Sequence, residues 1–480
     1  MARVATQEKS AIDMTGGNLF WKLVRFALPI MAATAMQLLY TTVDLTTVHY
    51  GESSDAMGAI ASNGALINLI IVVFTGMSLG VNVIVSEARG AGDVRKGSKA
   101  LHTSLLFALI SGFFVGLLGF LFSDDLLRLM DTTPKYLDMA TLYLRIYFVG
   151  LPFLMIFNYA AQLLRAQGDS RTPFLILAAA GIVNVGVDCL FVLTPLKMGV
   201  AGVGWATVIS EGVSCVLAIL ALKYGKRNFV RLEFRKLGID RAALLDIVRV
   251  GLPAGLQGFF FSLPNVFIQS SLYTIDPGNT PLINGATASG NIEGYFYVVV
   301  EGLRGAVMTF IAANVGAKKK QNIPKVFFYG VAWAAIFCAV IALITAFAYR
   351  PLLSLFVDDE VAIEAGRQRL SLMGYFYFLN TMMGMTAGVL GGLRKPSIPM
   401  VTTLVFCTGL RILLILTVFR LEQFHTLMWL YSLFPITWTL ATITNCVAIA
   451  IAMPRTMKKI ERSLVELPQD AEPIPLETGE

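Results

Sequence analysis

The chain has 480 residues, of which 56% are hydrophobic and 14% charged, with a mean hydropathy of +0.69. A water-solvated domain carries roughly 25% charged residues, so this composition excludes a soluble globular protein and places most of the surface in lipid. The net charge of +7 does not imply a nucleic-acid partner, because the basic residues lie between apolar segments, where membrane topology and anionic lipid account for them.

The N-terminus is polar through Asn18 and has no small-residue cleavage site, so the first apolar run is expected to direct insertion itself. A helix needs about 20 apolar residues to cross a bilayer. Twelve runs meet that length, near 26–50, 57–86, 99–122, 138–162, 172–194, 199–222, 245–274, 285–313, 325–348, 366–390, 398–420 and 427–452. Unbroken runs of this kind predict helices, not the alternating strands of a barrel. Most Lys and Arg fall before the first run, in the even-numbered gaps and after the last run. The densest stretch includes Lys223, Lys226, Arg227, Arg231, Arg235, Lys236 and Arg241. The positive-inside rule then places both termini in the cytoplasm of a multi-pass protein of the plasma (cell inner) membrane. All five cysteines lie in or beside apolar runs at irregular spacing, which fits small buried side chains rather than a metal or disulfide framework.

The chain repeats itself. Leu23-Val24-Arg25-Phe26-Ala27-Leu28-Pro29 returns as Ile247-Val248-Arg249-Val250-Gly251-Leu252-Pro253. Gly90-Ala91 returns as Gly316-Ala317, Leu126-Leu127 as Leu352-Leu353, and Pro173 as Pro399, all about 225 residues later. A near-constant offset across distant landmarks means a tandem duplication. Each copy holds six spans, so both copies enter the membrane in the same orientation. The expected fold is all-α and integral to the membrane: twelve transmembrane helices in two six-helix bundles related by a pseudo-two-fold axis along the membrane normal. The expected parts are a cytoplasmic N-terminal segment (1–22), a first bundle (23–222), a basic cytoplasmic linker (223–244), a second bundle (245–453) and a disordered cytoplasmic tail (454–480). Pro29 and Pro253 are expected to open equivalent helices, and Pro152 and Pro264 to lie inside spans. Gly384, Gly388, Gly391 and Gly392 allow close helix contact.

The copies differ where chemistry is concerned. Acids inside a bilayer are costly and need a reason to be there. The first copy carries Asp44 and Asp188 in apolar stretches; at the matching places the second carries Ile268, Gln269 or Ser270, and Leu414. Tyr40 and Asp44 stand at i,i+4, as do Asn184 and Asp188, so each pair shares a helix face, and the Tyr40 phenol is placed to hydrogen-bond Asp44. With Thr207 they form an oxygen-rich set suited to a proton or a sodium ion, the latter held by Asp44, Asn184 and Asp188. Glu211 follows Thr207 by one turn and either joins the set or marks a separate wet patch. Met155, Asn158 and Gln162 are candidate cavity residues, as are Glu293 and Glu301. Glu301 and Arg304 are spaced to pair on one helix face. Arg145 and Arg411 are expected to meet carbonyls or a distant acid, and His102 to be interfacial. No nucleotide-binding loop, nucleophile elbow or metal-ligand spacing occurs, so neither an enzyme nor a cofactor is expected.

The segment Asn184 to Phe191, followed by Gly199 to Ser210, resembles the N-x-x-x-D and G-x-x-G-x-x-x-A-T stretches of the multidrug and toxic compound extrusion (MATE) family. Leu163 to Pro173 resembles the family's R-x-x-G-D/N-x-x-x-P turn, and Ser86 to Asp93 and Asn314 to Ala317 resemble its paired G-A turns. The resemblance covers about residues 20–455. It implies two bundles around a cavity open alternately to each side, and export of organic cations or related amphiphiles in exchange for H⁺ or Na⁺. It assigns ion coupling to Asp44, Asn184 and Asp188, with Tyr40 and Thr207 in support. Two departures stand out: Ala312-Ala313 replace a common Gly-Gln, and Glu211 replaces a common Gln. The expectation is a secondary antiporter, working as a monomer in the lipid bilayer on small amphiphilic or cationic substrates. The alternatives are a flippase of lipid-linked saccharides, which a basic cavity would favour, and a non-transporting membrane scaffold or receptor.

Overall fold

The computed structural model describes residues 11–51, 54–130, 132–194, 196–275 and 280–465. Twelve long helices dominate them: α1 Leu19–Gly51, α2 Ser54–Ala91, α3 Val94–Leu121, α4 Pro134–Ala166, α5 Arg171–Asp188, α6 Gly199–Tyr224, α7 Arg241–Ile275, α8 Thr280–Gly316, α9 Asn322–Phe347, α10 Glu360–Gly392, α11 Ser397–Arg420 and α12 Leu427–Val465. Eleven of these are apolar enough over sufficient length to cross a membrane. The twelfth, α10, is not among them: Glu360, Glu364, Arg367 and Arg369 stand in its first turns, and the uncharged stretch after them is diluted by Gly, Tyr, Thr and Asn380. The duplication extends to small elements: a short helix Ser123–Leu129 follows α3, and Tyr349–Leu353 stands at the matching place after α9.

Aspartates start several of these helices. Asp93 Oδ1 accepts from Lys96 N at 2.8 Å, Asp240 Oδ1 from Ala243 N at 2.9 Å, and Asp359 Oδ1 from Val361 N at 3.0 Å, satisfying amides that a helix start leaves open. Two helices are interrupted by π turns, which loosen a helix locally and recur at functional sites. Cys189–Leu193 follows Asp188 directly, and Thr403–Leu410 directly precedes Arg411.

Three expectations need correction. Pro29 and Pro253 do not open helices; α1 and α7 begin about ten residues earlier, because the helices run past the membrane boundary that hydropathy marks. Pro152 and Pro264 lie inside α4 and α7 as expected. The segment after residue 453 is not unstructured throughout, since α12 continues to Val465 and only 466–480 lie outside the described residues. His102 is buried at 3% exposure rather than interfacial. Its Nε2 accepts from Glu233 N at 3.0 Å, which pins the linker to α3.

Both ends of the described chain lie on one face. Asn314, at the end of α8, donates to Met14 O at 2.8 Å, and Lys320 pairs with Glu461 at 2.9 Å. The linker joins the same face through Lys99–Asp240 (2.6 Å) and the Gln167 Oε1 contact with Val230 N (2.9 Å). Near this face the two halves meet backbone to backbone. Gly76 lies on Gly255, Gly80 on the Ile247 carbonyl, Gly251 on the Met77 carbonyl, Gly90 on the Ala313 carbonyl and Gly316 on the Glu87 carbonyl, so that a methyl group at any of them would collide. An ionic cluster closes the same seam: Arg394 pairs with Glu87 (2.9 Å) and Asp246 (3.1 Å), and Lys96 with Glu87 (3.0 Å).

The cores interlock across the seam. The first half of α1 (Leu23, Phe26, Ala27, Ile30) is buried with Val307, Phe310 and Ile323 of the second half, and the Phe26 and Phe310 rings lie 5.6 Å apart. Reciprocally, Ile247 and Val250 of α7 belong to the core of the first half. In the second half α10 packs on α8 through Gly384, Gly388, Gly391 and Gly392, the close contact expected for these glycines.

Residues 12–15 cross the seam as a strap. Ile12 N donates to Gly168 O (3.0 Å) in the first half, while Asn314, Lys319 and Asn322 of the second half donate to the carbonyls of Met14 and Thr15 at 2.8–2.9 Å. Asn314 is fully buried, and its Oδ1 also accepts from Asn322. Asn314→Ala is expected to cost about 1–3 kcal/mol by leaving buried polar groups unpaired. The readout is a lower melting temperature in detergent together with greater protease access at residues 12–15; an unchanged value for both would remove the strap from the closure.

Candidate functional site

A cavity of about 600 Å³ opens within the first bundle, lined by α1, α2, α4, α5 and α6. Asp44, Tyr40, Asn184, Thr207 and Glu211 all face it, with Tyr143, Tyr147 and Phe157 among its apolar walls. Asp188 lies behind this wall and is completely buried. The Asp44 carboxyl faces the side chains of Asp188 and Asn184 across the contact between α1 and α5. Asp44 Oδ1, both Asp188 oxygens and Asn184 Oδ1 are shielded from water, and none has a hydrogen-bond donor among the described residues. Beyond the Asn184 side-chain contact with Asp44, these oxygens are acceptors left without donors. Such an arrangement is costly in a low-dielectric interior unless a proton or a cation sits among them.

Two expected supports take other roles. The Tyr40 phenol donates to the Leu177 carbonyl on α5 and not to Asp44. Long side chains on a helix lean towards its N-terminus, so Tyr40 turns away from a residue one turn C-terminal to it. Its ring occupies the space that a side chain at Gly181 would need, and it thereby ties α1 to α5 beside the acids. The Thr207 hydroxyl donates to Val203 O at 3.0 Å on its own helix, so it offers the cavity an acceptor.

The remaining candidates separate. Met155 is wholly buried in the first core, against Gly112 of α3, and lines no cavity described here; an apolar side chain on a helix facing a neighbouring helix packs there. Asn158 and Gln162 face a second cavity of about 400 Å³ between the bundles, together with Glu301 and Arg304. Gln162 Oε1 accepts from Asn82 (3.0 Å), and Asn82 Oδ1 accepts from Thr309 of the second half (2.9 Å). Glu301 pairs with Arg304 at 3.1 Å and accepts from the Tyr297 phenol at 3.0 Å.

Glu293 faces a third cavity, of about 350 Å³, in the second bundle. There it is bound in bidentate fashion by Arg369 of α10, at 2.7 and 3.1 Å. Sequence reading missed Arg369, which sits near the start of the apolar run 366–390, where a charge reads as solvated. Its signal was the helical continuation of α10 through a charged start. Arg411 is completely buried, donates to Thr437 Oγ1 (2.6 Å) and stacks 4.3 Å from the Phe434 ring. Its Nε and Nη1 meet no acceptor among the described residues, neither carbonyl nor acid. Arg145 is exposed and lies 5.8 Å over the Phe120 ring. The first bundle thus gathers Asp44, Asp188 and Glu211, while the second pairs Glu293 and Glu301 with arginines and buries Arg411.

Two interlocked six-helix bundles with polar cavities inside and between them define a multi-pass membrane transporter rather than an enzyme. The MatE family model matches residues 29–190 and 280–417, and the chain belongs to the MATE family. Among curated proteins it is 26% identical to a probable multidrug resistance protein, YpnP, of Bacillus subtilis (strain 168), over 76% of this chain and 81% of that protein. It is 25% identical to the probable multidrug resistance protein NorM of Thermotoga maritima, over 80% and 82%. The FAD transporter of Shewanella oneidensis is 27% identical over 65% and 69%. A solved MOP superfamily transporter from Pyrococcus furiosus superposes with a TM-score of 0.85 at 21% identity, covering 94% of this chain and 99% of that one. An outward-facing multidrug resistance MATE transporter superposes with a TM-score of 0.81 at 22% identity, covering 95% and 99%. Both share the fold.

The Glu293–Arg369 pair can be tested directly. Arg369→Met alone is expected to destabilise the protein by about 3–5 kcal/mol, because it strands a buried carboxylate, whereas Glu293→Met with Arg369→Met recovers most of that loss. Denaturation in detergent micelles measures both, and a double variant as unstable as the single would show that the two side chains do not act as a pair.

Proposed function

We propose that this chain is a secondary antiporter of the plasma membrane that exports amphiphilic organic cations in exchange for H⁺ or Na⁺. The observation that carries the reading is the group of Asp44, Asp188 and Asn184, four of whose buried oxygens find no hydrogen-bond partner among the described residues, beside a cavity of about 600 Å³ in the first bundle. Cavities of roughly 300–1,000 Å³ suit small organic ligands. The names borne by relatives such as YpnP and NorM support drug export as the activity. The acids in the cavity favour a cation over the phosphate-bearing substrate of a lipid-saccharide flippase. One chain supplies both bundles and the cavity between them, which supports a working monomer.

Alternating access follows from the seam. Its backbone contacts and ion pairs lie at the face that holds both ends of the described chain. With the termini in the cytoplasm, as the basic loops favour, this arrangement is closed inward and open outward. Entry of H⁺ or Na⁺ between Asp44 and Asp188 removes the repulsion between them and lets α1 repack on α5. That repacking contracts the first-bundle cavity and drives substrate out. Ion and substrate thus favour opposite members of a two-state equilibrium.

The test is dye efflux from proteoliposomes under an imposed pH gradient and, separately, an imposed Na⁺ gradient. Wild type is expected to respond to one or both, and Asp44→Asn with Asp188→Asn to fall to the leak rate of protein-free vesicles. Undiminished gradient-driven efflux in the double variant would sink the mechanism.

A further inference from the structure

We propose that Glu211 is the seat of the substrate's positive charge, separate from the ion site at Asp44 and Asp188, and that it selects monovalent aromatic cations. The proposal rests on the efflux reading above and names the substrate class that this cavity takes.

Charge pairing gives the first argument. Glu293 is paired with Arg369 and Glu301 with Arg304. Asp44 and Asp188 face each other and belong to the ion site proposed above. Glu211 comes from a third helix, α6, and no Lys, Arg or His appears among the described residues lining its cavity. Its Oε2 is shielded from water with no hydrogen-bond partner among the described residues. The hydroxyls within one turn of it on α6 are already committed: Thr207 donates to Val203 O (3.0 Å), Ser210 to Thr207 O (2.8 Å) and Ser214 to Glu211 O (2.8 Å). A carboxylate without a counter-charge in the membrane interior calls for a cation from outside the chain.

The surroundings give the second. Glu211 Oε2 rests against α4 at Gly150, 2.5 Å from where a side-chain carbon there would stand, so the glycine creates the recess. Tyr143 and Tyr147 lie on the same helix within two turns of Gly150 and line the cavity, their ring centroids 6.3 Å apart. Aromatic faces beside a carboxylate are the recognised setting for an organic cation. Asn184, only 3% exposed, lines the same cavity. A proton or Na⁺ needs neither the aromatic walls nor this volume, whereas a flat organic cation uses both.

The experiment is equilibrium binding to the purified full-length protein without any gradient. It uses tetraphenylphosphonium, a permanent cation, and triphenylphosphine oxide, a neutral relative. Glu211→Gln is expected to weaken tetraphenylphosphonium by about tenfold or more while moving the neutral ligand less than about twofold. Glu211→Asp should recover part of the loss. Gly150→Ala keeps the charge but fills the recess, and should weaken the cation in the same direction; it also serves if Glu211→Gln does not fold. Unchanged cation binding in Glu211→Gln overturns the proposal. So does equal loss of both ligands with a lowered melting temperature, which marks a packing role, or loss of pH or Na⁺ response with cation binding intact, which makes Glu211 a third coupling acid. Because binding is read without a gradient, these results stand apart from the Asp44/Asp188 efflux test: either reading can fail alone.

Discussion

An ionised carboxylate in a membrane interior must be matched by positive charge, and the way each acid here meets that demand sorts the rest of the molecule. Glu293 and Glu301 meet it internally through Arg369 and Arg304; they are held in place and silent. Asp44 and Asp188 are set against one another instead, and no Lys, Arg or His stands among the described residues lining the cavity beside them. The same side-chain chemistry therefore serves as mortar in one half and, in the antiport mechanism proposed above, as a receptor in the other. The duplicated scaffold permits this division because each bundle can keep its packing glycines and turns while its polar interior drifts.

Much of this was legible in the sequence, and what was not has identifiable physical causes. The repeat, the intramembrane acids of the first half and the glycine contacts of α10 follow from spacing alone, because helical periodicity and the cost of buried charge leave few alternatives. The helix limits did not follow. Hydropathy reports where lipid stops, and helices such as α1 and α12 run on into water. Arg369 escaped for the same reason: a charge near an apolar edge reads as solvated, but a long helix carries it inside to a partner contributed by α8. Tyr40 shows a different limit. An i,i+4 spacing assigns a shared face but not the tilt of each side chain, and here the tilt sends the phenol to Leu177. Met155 and Asn158 stand within one turn of α4, yet one is core and the other faces a cavity, a choice that only the neighbouring helices decide.

The seam shows how a duplicated fold becomes directional. At matching turns the first copy has Gly168 and the second Arg394, both with positive φ. Glycine adopts that conformation freely; arginine holds it here while joined to Glu87 and Asp246. On the glycine side no such side chain reaches across, and the N-terminal strap fills the role by bonding Gly168 O and Asn314. Two unlike fasteners thus hold corresponding edges of one closure, and they can be released independently.

The embedding of α1 carries a further consequence. Its first half is anchored in the core of the second bundle, and its far half is fixed to α5 of the first through Tyr40 and Gly181. A rod clamped at both ends in different bodies behaves as a crank: a small rotation at the charged end becomes torque on the body gripping the other end. Its counterpart α7 is clamped near the seam in the same reciprocal way but has no acid at the matching positions. In engineering terms the proposed antiport mechanism gives the molecule one driven shaft and one idler, with power entering from a single side of the pseudo-symmetric frame.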